Sequence, residues 1–418
     1  MLNSVANVVI ILRSANYFRP KCKFPAQNGT KYLKKHYLCT MKVLYPLLFE
    51  HNFHATVWGG HRLKPLKSLP ADNEPIGESW EVSAVPGSTS VVSNGPLRGR
   101  DLASLTEEYG PLMLGNSVER RYGRVFPLLV KFIDAQSDLS IQVHPNDELA
   151  RERHNCFGKT EMWYVMKAEP GAYLYSGFSE PVSKYEYEHR VADGSICEVL
   201  GRHEVHAGDV FFIPAGRVHA ICGGILLAEV QQSSDVTYRI FDYNRPGLDG
   251  KPRQLHTQLA SAAIDFNVPS QQATLGKGTL AAVAPQPLLA GQKADLNVYR
   301  TDYQHELNSP VPLIVNEFFI VKLLEVNRSF HRKLYKYDSF IIYMCLEGNC
   351  TIRINSTQGF GGSLFGASPM PEASCCEITL TEGNSCLIPA SVADLYVKPD
   401  NAAGVTRLLE AYIDNKNY

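Results

Sequence analysis

The stretch GDVFFIPAGRVH, residues 208–219, decides the fold class of this chain. A glycine turn is followed by a short apolar strand, a Pro-Ala-Gly turn and a histidine. The second turn reverses the chain, so we expect His219 to open the next strand with its side chain pointing inward. Because an inward imidazole near the mouth of a small β-barrel is a ready metal ligand, the stretch predicts a barrel that holds a metal ion.

The C-terminal half repeats this spacing. The stretch GNSCLIPASVAD, residues 383–394, has the same turns and strand, with Asp394 where the first copy has His219. This indicates a duplicated fold whose second copy has lost its site. Short apolar runs between turns dominate elsewhere, and one of them predicts a strand around residues 198–200. Residues 101–121 show helical spacing, and residues 145–148 predict the start of another helix, capped by Asn146 or Asp147. We therefore predict a mainly β chain of two barrel-like domains, with a small helical insert in the first.

Composition shifts suggest the domain boundaries. Residues 1–40 carry scattered basic residues without periodicity, and we expect a non-essential extension that precedes a natural start at Met41, although an N-terminal arm docked on the body is the alternative. Residues 41–265 form the expected catalytic domain. Residues 266–295, rich in Gln, Ala, Gly and Pro, form the connection, and 296–418 the degenerate second domain. The Gly-rich stretch Gly359–Ser374 is expected to be a flexible hairpin tip.

Bulk composition excludes some partners. Lys and Arg (41) balance Asp and Glu (42), so no basic excess favours nucleic acid or an anionic membrane surface, and a small polar substrate fits better. No apolar run reaches the roughly 20 residues that span a bilayer. The ten cysteines fall at irregular spacings, which favours reduced thiols and a cytoplasmic protein. The oligomeric state is left open.

A second polar group lies upstream of the first motif. In the predicted strand 139–144, Ser140, Gln142 and His144 share one face, and burying three polar side chains is costly unless a partner satisfies them. Glu161 begins another predicted strand. Gln142, His144, Glu161 and His219 would give two imidazoles, a carboxylate and an amide oxygen, which suits zinc with an open position.

Residues 208–219 resemble the second motif of the cupin superfamily, and several further motifs resemble the short bacterial branch of the class I mannose-6-phosphate isomerases. These motifs are residues 58–60, 77–81, 140–145, 158–161, 214–221 and 231–239. The resemblance covers residues 41–259 firmly. It implies one zinc ion per chain at His144, Glu161 and His219, with Gln142 as fourth ligand. It also implies that Arg239 is the arginine of the catalytic site.

Isomerisation of an aldose phosphate to a ketose phosphate moves a proton between C1 and C2, and negative charge develops on the oxygens of those carbons. Zinc and Arg239 would hold that charge. Glu229 is our first candidate for the acid/base group and Lys159 the second, although Glu229 could instead be a surface partner of a nearby cation. Lys131 and Ser140 are the expected phosphate donors, by resemblance and by their placement, but Lys131 could be a plain strand-edge lysine.

We therefore predict a zinc-dependent isomerase that interconverts mannose 6-phosphate and fructose 6-phosphate. Two alternatives stay open. A non-haem iron oxygenase could use the same two histidines and carboxylate, in which case turnover would require oxygen. A non-catalytic double cupin would bind hexose phosphate without turning it over.

Overall fold

The computed structural model of the chain describes residues 44–267, 299–354, 376–400 and 404–414. The extension 1–40, most of the connection 266–295 and the hairpin tip Gly359–Ser374 lie outside the described residues, so the expectations for them stay predictions. The domain boundaries likewise stay predictions.

Strands make up most of the regular structure. Those of the first half are β1 Leu47–Leu48, β2 Phe53–Gly60, β3 Ile76–Val82, β4 Leu128–Ala135, β5 Ile141–Val143, β6 Glu161–Ala168, β7 Tyr173–Phe178, β8 Leu200–Glu204, β9 Val210–Ile213, β10 His219–Ile221, β11 Ile225–Gln232 and β12 Tyr238–Phe241. Those of the second half are β13 Arg300–Thr301, β14 Pro310–Val315, β15 Ile320–Val326, β16 Phe330–Lys333, β17 Ile341–Glu347, β18 Asn349–Ile354, β19 Glu377–Thr381, β20 Ser385–Ile388, β21 Asp394–Pro399 and β22 Thr406–Tyr412. The helices are α1 Leu63–Leu66, α2 Leu102–Tyr109, α3 Pro111–Leu114, α4 Asn116–Tyr122, α5 Asp147–His154, α6 Lys184–Asp193 and α7 Thr257–Ala263, with a 3-10 helix at Ile196–Val199.

Each half of the chain is built on two sheets. In the first half the strand orders are β13-β9-β6-β11-β4-β2-β3 and β12-β5-β10-β7-β8. In the second half they are β1-β20-β17-β22-β15-β14 and β16-β21-β18-β19. Within the described residues none of these sheets closes on itself as a barrel, so the cupin-like halves are paired open sheets. The predicted mainly β, cupin-like fold is confirmed.

The two halves share strands and a core. The short N-terminal strand β1 pairs with β20 of the second half, and β13 pairs with β9 of the first. The rings of Phe126 and Phe340 pack with their centroids 4.5 Å apart inside one continuous apolar cluster. The second half therefore buries the outside of the first half as well as its own core.

The motif that suggested the fold has the expected local structure. Strand β9 covers Val210–Ile213, Gly216 takes a positive φ of 87° in the turn, and β10 opens at His219. The second copy follows the same course, with β20 at Ser385–Ile388 and β21 opening at Asp394. The duplication inferred from the sequence therefore extends to the secondary structure.

The helix predictions hold, with one correction nearby. The predicted insert is three short helices, α2 to α4, interrupted at Gly110. Helix α5 begins at Asp147, and the Asn146 side chain caps it by accepting a hydrogen bond from Leu149 N. The strand predicted around residues 198–200 is wrong, because residues 196–199 wind into a 3-10 helix and β8 begins only at Leu200. No helix among the described residues is long and apolar enough to cross a membrane.

Candidate active site and metal centre

The site is built where β5 lies between β10 and β12. Gln142 of β5 is the register partner of His219 on one side and of Arg239 on the other. Register partners in an antiparallel pair project their side chains to the same face. Ser140 and Gln142 line one cavity, and His144 contacts Glu161 of the same lining, in line with the predicted shared face, although strand β5 itself is shorter than predicted and covers only Ile141–Val143.

His144, Glu161 and His219 come together as one buried cluster. One possible ligand atom from each of the three residues lies within 4.8 Å of the others. His144 Nε2 is 3.3 Å from Glu161 Oε1, and His219 Nε2 is 3.7 Å from Glu161 Oε2. The sequence had placed these residues on three different strands or their ends, and the sheets bring them to one point.

Backbone carbonyls fix the tautomer of both histidines. His144 Nδ1 lies 3.0 Å from the Val236 carbonyl oxygen, and His219 Nδ1 lies 2.8 Å from that of Arg217. A carbonyl can only accept, so each Nδ1 carries the proton and donates, and each Nε2 presents its lone pair. Neither Nε2 has a hydrogen-bond partner, although both are buried. Two buried, unpartnered nitrogen lone pairs beside a carboxylate are the donor set expected of a zinc or iron ligand shell.

The protonation states of the two histidines and of Glu161 also favour the binding of a metal cation. Burial lowers the pKa of His144 to about 3, and burial lowers the pKa of His219 as well, so both imidazoles are neutral. Burial alone would raise the pKa of Glu161, but the Lys159 ammonium 3.1 Å away and the neighbouring imidazoles hold that pKa well below its usual range. Metal ligation needs neutral imidazole and ionised carboxylate, which is the state found here.

A cavity of about 270 Å³ opens beside this cluster. Most of the residues predicted from the sequence line it, namely Lys131, Ser140, Gln142, Lys159, Glu161, Glu229 and Arg239. His144 and His219 adjoin the cavity through Glu161. The structure therefore brings all the predicted site residues to one place.

Comparison with known proteins gives the family. Residues 47–173 match the family model described as phosphomannose isomerase type I, catalytic domain. The mannose-6-phosphate isomerase of Streptococcus mutans is 40% identical over 225 residues, which cover 54% of this chain and 69% of that protein. The putative mannose-6-phosphate isomerase YvyI of Bacillus subtilis is 32% identical over 279 residues, 66% of this chain and 84% of its own length. The chain belongs to the type I phosphomannose isomerase family.

Solved structures agree with this placement. The crystal structure of the mannose 6-phosphate isomerase from Bacillus subtilis superposes with a TM-score of 0.69 at 27% identity, over 88% of this chain and all of that one. A putative mannosephosphate isomerase from Archaeoglobus fulgidus, 20% identical with a TM-score of 0.63 over 90% of this chain and 99% of that one, shares the fold. The chain is thus an isomerase of mannose 6-phosphate.

In this isomerase Glu229 is a buried carboxylate with one oxygen held and one oxygen free. Trp163 Nε1 donates to Oε2 at 2.8 Å. Oε1 has no hydrogen-bond partner, and the nearest cation is Lys131 Nζ at 3.5 Å. Burial, followed by the negative charge of Glu161, raises the pKa of Glu229 to about 7. The alternative of a surface residue is excluded, because Glu229 is 3% exposed.

The three cationic side chains of the isomerase cavity, Lys131, Lys159 and Arg239, differ in how closely a carboxylate or carbonyl group neutralises or satisfies each of them. Lys131 is buried rather than at a strand edge, with Nζ 3.4 Å from Glu78 and 4.7 Å above the centre of the Trp80 ring. The ammonium of Lys159 is ion-paired with the Glu161 carboxylate. Arg239 donates from Nη1 to the Gln254 carbonyl at 3.0 Å, while its Nε is buried without a hydrogen-bond partner.

Sequence reasoning assigned no role to Glu78, Trp80 and Arg253, which line the cavity, or to Trp163, which donates to Glu229. Glu78 and Trp80 stand in a quoted motif, and period-two alternation does place them on one face of β3. The side chains on this face of β3 lie close to Glu229 only because of the way the strands pair in the sheet, and the sequence of β3 alone does not show that pairing. Arg253 lies in a loop and reaches the cavity while ion-paired to Asp242 at 2.6 Å, for which the sequence carries no signal.

Proposed function

We propose that this isomerase holds one Zn²⁺ per chain and interconverts mannose 6-phosphate and fructose 6-phosphate. The observation that carries the proposal is the pair of unpartnered Nε2 atoms of His144 and His219 facing the Glu161 carboxylate, beside the cavity that contains Glu229. A divalent ion next to an acid/base group is the combination that this isomerisation needs.

His144, Glu161 and His219 are the proposed zinc ligands, and Gln142 is the proposed fourth. Gln142 is the register partner of His219, so its side chain projects to the same face of the sheet as the His219 imidazole and lies next to it. Mixed nitrogen and oxygen donors suit zinc. When bound, the ion supplies Lewis-acid polarisation of the substrate oxygens and fixes their orientation.

The residues of the chain itself carry the proton transfer. Conversion of the aldose removes a proton from C2 and returns a proton to C1, while a hydroxyl proton passes from O2 to O1. The enediolate formed between these transfers carries negative charge on O1 or O2. Arg239, whose Nε is buried without a hydrogen-bond partner, is the proposed fixed cation for that charge.

Glu229 remains our first candidate for the group that moves the proton. Its Oε1 has no hydrogen-bond partner, although Lys131 Nζ lies 3.5 Å away, and its Oε2 is held by Trp163. Its pKa of about 7 gives both protonation states at neutral pH. A group with a pKa near the working pH can remove and return a proton with little penalty in either direction. Lys159 stays the second candidate, although its ammonium is paired with Glu161.

Ser140 and Lys131 are the proposed donors to the substrate phosphate. Both line the cavity and both are at most 4% exposed. The Lys131 ammonium is shared between Glu78 and Glu229, so a phosphate would compete with these carboxylates for it. Loss of Lys131 should therefore raise KM for the hexose phosphate and also raise the pKa of Glu229.

A coupled assay of mannose 6-phosphate turnover tests the proposal. We expect full activity in the zinc-loaded protein, loss of activity on chelation and recovery when Zn²⁺ returns. Activity that requires oxygen and Fe(II) would indicate the oxygenase instead, and tight hexose phosphate binding without turnover would indicate the non-catalytic alternative. The isomerase relatives favour neither alternative.

The cytoplasm remains the proposed compartment. The cysteines of the described part of the chain, among them Cys156 and Cys197, are free thiols, which supports a reducing environment. Cell fractionation followed by immunoblotting tests this, and recovery in an oxidising compartment would contradict it.

A further inference from the structure

A second cavity, of about 260 Å³, lies between the two halves of the chain. Residues of the first half that line it include His51, Lys67 and Glu81, and the second half contributes Thr381 and Ser385. We call it the inter-half cavity. It shares only Trp80 with the lining of the catalytic cavity, and none of the proposed catalytic or metal-binding residues belongs to it.

The buried charges of this cavity cancel. Lys67 Nζ lies 2.7 Å from Glu81 Oε1, and the two side chains are 1% and 7% exposed. Burial lowers the pKa of His51, so that imidazole is neutral near pH 7. The remaining charged group of the lining, the exposed carboxylate of Glu50, is negative, so the cavity disfavours anions such as hexose phosphates, and its polar groups suit an uncharged ligand.

Ser385 provides an unpaired polar group at the wall. The residue is 6% exposed, it lines the cavity, and its Oγ has no hydrogen-bond partner. An unsatisfied buried hydroxyl costs free energy, which a ligand hydroxyl would recover. Further hydroxyl and amide groups surround it, contributed by Ser93, Thr379, Thr381 and Asn384.

Aromatic side chains complete the lining. Phe49 and Trp80 both contribute surface to the cavity. Apolar ring surface beside several hydroxyl, amide and carboxylate groups matches a molecule that carries C–H bonds and hydroxyl groups together. The cavity volume is below the range of about 300–1,000 Å³ that is usual for drug-sized ligands, so the occupant is small.

We propose that the inter-half cavity is a second binding site of the isomerase, for an uncharged polyol or monosaccharide. The site is distinct from the hexose phosphate cavity, and the proposal does not rest on the zinc chemistry. It also gives the second half of the chain a binding role, since Thr381 and Ser385 come from that half.

Titration calorimetry of the full chain with D-mannitol tests the proposal. The protein is first equilibrated with saturating mannose 6-phosphate, so that the catalytic cavity is filled. We expect one mannitol per chain, with a dissociation constant unchanged by the hexose phosphate. Ser385→Val removes the unpaired hydroxyl and should weaken mannitol binding roughly 3- to 10-fold. The matched control Ser391→Val changes an exposed serine outside the cavity lining and should leave binding unchanged.

A blocking variant covers the case in which Ser385→Val disturbs the core. Thr379 is exposed on β19 at the cavity wall, so Thr379→Trp should fill the opening without altering buried packing and should abolish mannitol binding. Circular dichroism and the isomerase assay report whether this variant is folded. Three results would overturn the proposal: no binding of mannitol, displacement of mannitol by mannose 6-phosphate, or unchanged binding in Thr379→Trp.

Discussion

At the scale of single residues, Glu229 is placed so that its two oxygens have different tasks. Trp163 holds Oε2, whereas Oε1, which has no hydrogen-bond partner and lies 3.5 Å from Lys131 Nζ, is the oxygen that we propose acts on the substrate. Because the carboxylate form must remove the C2 proton and burial raises the pKa to about 7, kcat/KM should fall roughly tenfold per pH unit below that value. A pH profile of kcat/KM measures this acidic limb.

Trp163→Phe removes a hydrogen-bond donor that favours the charged form of Glu229, so the acidic limb of the profile should move to higher pH. Activity at pH values above the limb should be retained, and an equal loss of activity at every pH would contradict this.

Substitution of Glu229 and of Glu161 should distinguish the loss of proton transfer from the loss of zinc binding. Glu229→Gln keeps the shape but cannot accept the proton, so kcat should fall by roughly 10²–10⁴ while zinc content is unchanged. Glu161→Gln removes a charged ligand and should lose zinc as well as activity. Metal analysis beside the coupled assay distinguishes them. Zinc loss in Glu229→Gln, or full zinc content in Glu161→Gln, would contradict the assignments.

At the scale of elements, the turn between β9 and β10 positions His219. Gly216 has φ +87°, and a Cβ there would meet the Ala263 carbonyl oxygen at 3.0 Å. Gly250 provides a matched control, because its φ is +77° and nothing lies within 4 Å of the corresponding position. Alanine at either position should cost about 1–2 kcal/mol of stability from the left-handed conformation. Only Gly216→Ala should also weaken zinc binding, as measured by chelator competition. Equal zinc affinity in both variants would show that the turn does not determine the position of the His219 side chain.

Local patterns could predict the elements that carry the metal ligands. Period-two alternation placed Gln142 and His144 on one face, and the turn grammar of residues 208–219 gave the first residue of β10. Helices α6 and α7 were missed, because charged residues or small residues obscure their periodicity. The contact of Trp163 with Glu229 and the approach of Arg253 depend on which strands and loops become neighbours. That information is non-local, so no single segment of sequence contains it.

At the scale of the whole molecule, the second half stabilises the half that carries the site. Phe340 packs on Phe126 across the two halves and is fully buried. Phe340→Ala should lower the free energy of unfolding by about 3–5 kcal/mol. Tyr335→Ala, at a residue 65% exposed, should have little effect. Urea unfolding measures both, and the activity of the folded fraction should stay near that of the unaltered chain. Equal stabilities would mean that this contact does not join the halves.

The N-terminal extension belongs to the same scale. The proposed ligands, acid/base groups and phosphate donors lie between Lys131 and Arg239, and every residue that lines the catalytic cavity follows Met41, so a chain that begins at Met41 should fold and keep its activity. Circular dichroism and the coupled assay check this expectation. Loss of folding or of activity would show that residues 1–40 act as a docked arm.

The most direct test of the account is the zinc stoichiometry of the metal-depleted chain and of His219→Ala, titrated with Zn²⁺ against a chromophoric chelator. We expect one tightly bound ion per chain in the unaltered protein and a large loss of affinity in His219→Ala. His305→Ala, at a histidine whose side chain is 58% exposed and that is outside the cluster, should bind as the unaltered chain does. Unchanged zinc affinity in His219→Ala, or no tight binding by the unaltered chain, would contradict the central claim.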